Sequence, residues 1–263
     1  MNNELKALNA FFNCIYLVTI PRSFEKRKDK IKKNLAGLQY KIFYGCDGTV
    51  LTEEARKALC DYNRAKKYLE YYSLLRYGKS YNRDLTPSEL GCAMSHKMVY
   101  EDMLAHHYEK CLILEDDAVL YSPGLKKIPL MIRELPSDWG LWYLGYRWHD
   151  SESMLSRLKR KIFLFVNFLV HYKKALEEKK RHKIFYPREF KKNIWVAGFH
   201  AGTHGYAITL ETAELLLKEN TPICLVADML LAHVHLNGKV KAYVSVPQVF
   251  RDDQQMTSTV LNQ

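Results

Sequence analysis

Cys111-Leu112-Ile113-Leu114 is an apolar run that ends directly in three consecutive carboxylates, Glu115, Asp116 and Asp117, before the chain turns apolar again at Ala118. A short run without polar alternation suits a strand buried on both faces of a parallel sheet, where helices cover both sides. Three adjacent acids at the end of such a strand repel one another unless a cation or polar partners compensate them. The C-terminal edge of strands is also where open α/β sheets bind their ligands. A polar turn that merely closes the strand is the plain alternative. The functional reading is a divalent-metal site for a phosphorylated substrate.

The rest of the chain alternates in the same manner. Residues 13–20 read as a first buried strand stopped by Pro21, followed by a charged helix with Ser23 as N-cap and Phe24, Arg27, Ile31 and Leu35 on one face. Arg22 and Arg27 stand at that junction, within reach of a phosphate. Residues 41–48 read as a second strand and turn, and 51–77 as one helix whose tyrosines (Tyr62, Tyr68, Tyr71, Tyr72, Tyr77) serve packing rather than a sugar platform. Thr86-Pro87-Ser88-Glu89 is a capping-box start for a helix running to His106. Gly91 inside it costs about 1 kcal/mol relative to Ala, which suggests close approach of another backbone or a ligand. Strands are expected at 141–145, within 194–208 and at 240–246, with a helix at 211–218. Gly198, Gly202 and Gly205 suggest tight bends or close backbone contacts. Asp228 is the one acid in the apolar stretch 222–231, so it needs a partner or a purpose. The tail from Arg251 to Gln263 is polar and is expected to be mobile.

Charge is distributed very unevenly. Residues 155–192 hold thirteen lysines and arginines against three acids, a net of +10 out of +11 for the whole chain. An apolar centre at 162–170 lies within that insertion, too short to span a bilayer but suited to the interface of an anionic membrane. A 263-residue chain accommodates one large domain, here 1–263 with a basic amphipathic insertion at 150–192. The six cysteines are scattered without a Cys-x-x-Cys pair, which suggests free thiols in a reducing compartment. With no signal-type N-terminus, the expected location is cytoplasmic, peripheral on the inner face of the membrane.

Neither Gly-x-Gly-x-x-Gly nor a Walker-type loop occurs, which removes the commonest dinucleotide and ATP readings. Acids with open positions suit Mg²⁺ or Mn²⁺ beside a departing diphosphate, with a separate base for an acceptor hydroxyl. A Mg²⁺-dependent nucleotidyltransferase would use similar acids but should carry a phosphate-gripping loop near the N-terminus. A nucleic-acid-binding protein could use the basic segment, although its Phe/Leu centre favours lipid, so no nucleic acid is expected.

Several segments in order resemble glycosyltransferase family 25, the bacterial lipooligosaccharide galactosyltransferases and their collagen-modifying relatives. They are Ile15-Tyr16-Leu17-Val18 with Arg22-Ser23 and Glu25-Lys26-Arg27, residues 88–96 with Ser95 and His96, Leu112 to Ala118, residues 202–208 and Asp228. The sequence departs from the family pattern at Thr19-Ile20-Pro21 and at the basic insertion. The resemblance implies an α/β, GT-A-like fold with a mostly parallel sheet flanked by helices. It also implies a UDP-sugar donor (usually UDP-galactose), a divalent metal, inversion at the anomeric carbon and a lipid-linked oligosaccharide acceptor. On this reading Asp117 is the principal metal ligand with Glu115 beside it. Arg22, Arg27, Ser95, His96, Glu115, Asp116 and Thr203 contact the donor, and Asp228 is the general base. His204, His233 and His235 are further imidazoles among which the sequence does not choose, a structural role being the plainer one for each.

Overall fold

The computed structural model describes residues 3–77, 80–147 and 185–253, with isolated helical positions at 155, 158–159, 161–162 and 165–166. Most of the basic insertion and the last ten residues therefore lie outside the described part. The strands are β1 (Cys14–Thr19), β2 (Lys41–Tyr44), β3 (Lys110–Glu115), β4 (Ala118–Leu120), β5 (Leu141–Arg147), β6 (Arg188–Glu189), β7 (Ile194–Val196), β8 (Ala201–Thr209), β9 (Ala242–Ser245) and β10 (Phe250–Asp252). Eight of them form one sheet in the order β2-β1-β3-β8-β5-β9-β7-β6. Only β7 and β8 run against the common direction, so the sheet is mostly parallel, as a GT-A-like fold requires.

The helices are α1 (Asn3–Phe11), α2 (Pro21–Asn34), α3 (Glu53–Leu59), α4 (Tyr62–Tyr77), α5 (Pro87–Ala105), α6 (Ser122–Leu125), α7 (Ile128–Glu134), α8 (Leu210–Glu219) and α9 (Ala227–Leu236). Their apolar residues build a core on each face of the sheet. Leu90, Val99, Tyr100, Leu216 and Leu230 pack on one side, and Leu5, Leu8, Ile31, Leu35 and Met131 on the other. The alternation of β3 serves both: Cys111 and Ile113 face the first core, Leu112 and Leu114 the second, and all four are fully buried. Burial of each aliphatic side chain there contributes about 2 kcal/mol. This is why the run carries no polar alternation, and it fixes where the three acids must emerge.

The expected capping box of α5 is present, with the Thr86 hydroxyl accepting from the Glu89 N–H and the Glu89 carboxylate from the Thr86 N–H. Gly91 meets another backbone as anticipated: a side chain there would collide with Gly48 and come within 2.9 Å of the Cys46 carbonyl. Three expectations change. Ser23 does not cap α2; Pro21 occupies the first helical position and the Ile20 carbonyl accepts from the Ser23 and Phe24 N–H groups, because proline's fixed φ suits N1. The single helix expected over 51–77 is two. It breaks at Cys60, which bridges to Ile223, and Asp61 caps the restart by accepting from the Arg64 N–H at 3.0 Å. Finally, 250–252 is no loose tail: β10 pairs antiparallel with β4, directly beyond the acids.

Candidate active site

β3 delivers Glu115 at its C-terminal end, Asp116 and Asp117 form the turn, and β4 starts at Ala118. The turn lies in a cleft of about 530 Å³ that also receives the ends of β1 and β2, the start of α5, the start of β8 and the first turn of α9. The three carboxylates meet three different environments.

Asp116 faces the N-terminal elements. In the parallel register Val18 lies opposite Glu115, which brings Thr19 beside Asp116; the Thr19 hydroxyl donates to Asp116 Oδ2 at 2.6 Å. Arg27, nearly two helical turns into α2, forms an ion pair with the other oxygen. Burial nevertheless dominates and, aided by the charge of Asp117, raises the Asp116 pKa above its ordinary value against the pull of Thr19 and Arg27.

Glu115 faces the opposite way. It accepts from the Thr203 hydroxyl of β8 and lies 3.5 Å from His96 Nε2 of α5. Burial opposes its ionisation. The hydrogen bond and charge of His96, with His204 and Thr203, outweigh that and bring its pKa down to about 2. His96 is held in turn: Nδ1 lies 2.7 Å from the Tyr206 hydroxyl, which lies 2.8 Å from that of Tyr100, and all three residues are buried. An ionised Glu115 only accepts, so His96 turns an N–H at Nε2 toward it, and the Tyr206 and Tyr100 hydroxyls continue the chain behind the ring.

Asp117 approaches His204 Nδ1 at 3.4 Å. Burial lowers the pKa of His204, but Asp117, then Glu115 and Asp252, more than offset this and raise it. Its other nitrogen, Nε2, is buried with no hydrogen-bond partner among the described residues. Glu115, Asp117 and His204 bring one donor atom each within 4.8 Å of one another. Two carboxylates and an imidazole suit Mn²⁺ or Mg²⁺, and the orphaned nitrogen shows a site short of a partner. A second grouping, Cys92, His96 and Glu115, is a weaker candidate: both His96 nitrogens are engaged, and burial pushes the Cys92 thiol up so that it keeps its proton.

The other expected site residues divide clearly. Arg22 lies against Asp47, with Nε 2.7 Å from Oδ2, and reaches the Thr49 hydroxyl at 3.1 Å. Ser95 accepts from the Cys46 N–H at 2.9 Å and donates to the Gly91 carbonyl at 2.7 Å, pinning the loop after β2 to α5. Asp228, in the first turn of α9, enters the cleft and accepts from the Gly202 N–H at 3.2 Å, while Val226 occupies the N-cap position. Gly202 has φ +77°, and a side chain there would stand 2.8 Å from His204 Nε2, so glycine serves both the bend and the imidazole. His233 and His235 lie elsewhere, bonded to the Tyr72 hydroxyl and the Ala197 carbonyl. The sequence reading passed over Thr19, Tyr100 and the Arg147–Asp252 pair at the cleft (2.7 Å). Strand register could have found the first; no local pattern marks the others.

The sheet, its one-sided cleft and the acids at the strand ends define an α/β protein of the GT-A-like class. The profile of glycosyltransferase family 25 (LPS biosynthesis protein) matches residues 12–231, and the chain belongs to that family. It is 29% identical over 139 residues to human procollagen galactosyltransferase 2, covering 51% of this chain and 21% of that protein. It is 26% identical over 207 residues to a glycosyltransferase 25 family member of Aedes aegypti, covering 78% of this chain and 28% of the relative. The chain thus spans between a fifth and a third of the length of the relatives it matches.

Proposed function

We propose that this protein is a metal-dependent inverting glycosyltransferase that moves a hexose, galactose in β linkage, from a UDP-sugar to a lipooligosaccharide or lipopolysaccharide acceptor. The observation that carries the reading is the convergence of Glu115, Asp117 and His204 in the cleft that also holds Asp228. The galactose assignment draws on the similarity to procollagen galactosyltransferases, and the acceptor class on the family's association with LPS biosynthesis.

Glu115, Asp117 and His204 would hold an Mn²⁺ or Mg²⁺ ion, which would supply positive charge beside the departing nucleoside diphosphate. His204 would be a ligand only without its proton, so affinity for the ion should fall as pH is lowered. Asp116, fastened to Thr19 and Arg27, holds the turn in place. Asp228, steadied by the Gly202 N–H, takes the proton from the acceptor hydroxyl as that oxygen attacks the anomeric carbon on the face away from the diphosphate. Such a base contributes about 10²- to 10⁴-fold.

The insertion fits an anionic membrane surface. Leu155, Leu158, Ile162, Phe165 and Val166 are exposed and recur at helical spacing, with Lys159 and Lys161 between them. Among the described residues no helix is long and apolar enough to cross a membrane. Co-sedimentation with anionic but not neutral vesicles tests this attachment. The chemistry is tested by thermal shift and turnover. UDP plus Mn²⁺ should raise Tm, ATP or duplex DNA should not, and Asp228→Asn should remove transfer while keeping the UDP–Mn²⁺ shift. Stabilisation by ATP or DNA instead would favour the nucleotidyltransferase or nucleic-acid reading.

A further inference from the structure

The lining of the cleft has two unlike parts. One comes from the end of β1, the first turn of α2 and the loop after β2, with Thr19, Arg22, Cys46 and Asp47. The other consists of Leu69, Tyr81, Arg83, Val226 and Met229, and is apolar and aromatic with a cationic member. Asp228 lies in that second wall by chain position, directly before Met229.

Tyr81 is 41% exposed, yet the segment that carries it is tied down on both sides. Its N–H donates to the hydroxyl of the buried Ser73 of α4 at 2.9 Å. Two residues on, Arg83 grips both oxygens of Glu89 at 2.7 and 2.8 Å, and Glu89 closes the capping box of α5. The backbone is therefore fixed between two helices while a large ring stays in contact with water at the cleft wall. A partly exposed aromatic ring on a tethered segment suits recognition, because little ordering remains when a ligand arrives. A pyranose has the matching chemistry: one face of C–H groups to lie on an aromatic ring, and an edge of hydroxyls to meet Arg83 and a carboxylate.

We infer that this wall is the acceptor-sugar subsite, in which the terminal pyranose of the acceptor stacks on Tyr81 and turns its reacting hydroxyl toward Asp228. The inference rests on the proposed transfer reaction, since it takes its orientation from Asp228 as the base. Leu69 and Met229 extend the apolar floor on which the C–H face lies. The nucleotide then occupies the part of the cleft lined by β1 and the loop after β2, and the two substrates meet at the acids.

The test uses methyl β-galactoside and methyl β-glucoside as probes, titrated by saturation-transfer NMR into the full chain with UDP and Mn²⁺ present. At least one glycoside should bind the unmodified protein. Tyr81→Ala should weaken it by about tenfold, the size of one aromatic stacking contact, whereas Tyr81→Phe and Tyr81→Trp should stay within about threefold. UDP–Mn²⁺ affinity and Tm should be the same in all three variants. Equal glycoside binding by the Ala variant, binding of neither glycoside by the unmodified protein, or loss of UDP affinity on Tyr81→Ala would overturn the assignment. The last outcome would make Tyr81 a nucleotide contact instead. If UDP–Mn²⁺ failed to bind the unmodified protein, the donor reading itself would fall.

Discussion

The two flanks of the acidic turn are built from similar residue types and arranged to opposite ends. On the β1–α2–β2 flank the cleft-lining groups meet protein partners: Arg27 and Thr19 hold Asp116, Arg22 holds Asp47, and Ser95 holds the Cys46 N–H. On the β8–α9 flank, carboxylates and an imidazole are drawn together and a buried nitrogen is left without a partner among the described residues. Adjacent residues thus diverge, Asp116 with its pKa raised and Glu115 with its pKa lowered, because the strand sends their side chains to different neighbours. The lesson is that three consecutive acids are not one motif. One carboxylate fixes the turn so that the other two can face the cleft.

The strongest attempt to break this contrast is Asp117→Ala. Transfer should fall on the order of 10³-fold, the scale of losing a charge-stabilising group at a developing negative charge, while Tm changes little. The same variant removes the largest influence raising the His204 pKa, so an NMR titration of that ring should move to lower pH. Normal turnover, or an unmoved His204 titration, would show that the β8 flank is no more reactive than the other.

Arg27→Met probes the opposite flank. Both side chains of the Arg27–Asp116 pair are largely buried, so the change strands a carboxylate and should cost about 3 kcal/mol of stability in urea unfolding. UDP–Mn²⁺ binding by the fraction that stays folded should survive. A variant of unchanged stability that no longer binds UDP would make Arg27 a donor contact and erase the distinction. Gly91→Ala is expected to cost less, about 2 kcal/mol, because its new methyl forces the Gly48 loop off α5.

How much of this was legible in the chain depends on the range of the signal. The apolar run of β3, the capping box at Thr86 and the spatial meaning of Gly91 are local, and they could be read from a few neighbouring residues. The break at Cys60 could not, since a bridge to Ile223 imposes it from far along the chain. The pairing of β10 with β4 is likewise non-local. In the site, resemblance to the family picked out His96 and Thr203, but nothing in the linear order showed that both would converge on Glu115. That convergence exists only once β8 lies antiparallel to β3, with Gly205 opposite Leu114. Thr19 falls between these cases: a parallel β1–β3 register predicts its contact with Asp116, but the register itself needs the sheet.

The smallest expected effect concerns the support of the Tyr81 wall, and it sharpens the contrast by asking whether a well-paired acid near the cleft is scaffold alone. Burial would raise the pKa of Glu89, but Arg83 and the Thr86 N–H prevail and hold it below the ordinary 4.5. A carboxylate with a depressed native pKa contributes stability above its unfolded value, and that contribution fades as pH falls through the native one. Glu89→Gln should therefore lower stability by about 1 kcal/mol at pH 7, a modest figure because the Arg83 side chain is 45% exposed and screened by solvent. Below pH 4.5 the difference between the two proteins should shrink, as the native carboxylate itself becomes protonated. Urea unfolding at pH 7 and pH 3 measures both ends of that window. A gap that stays constant with pH would mean that the shape of the side chain, not its charge, supports the segment, and that the ion pair with Arg83 is incidental to holding Tyr81 at the cleft.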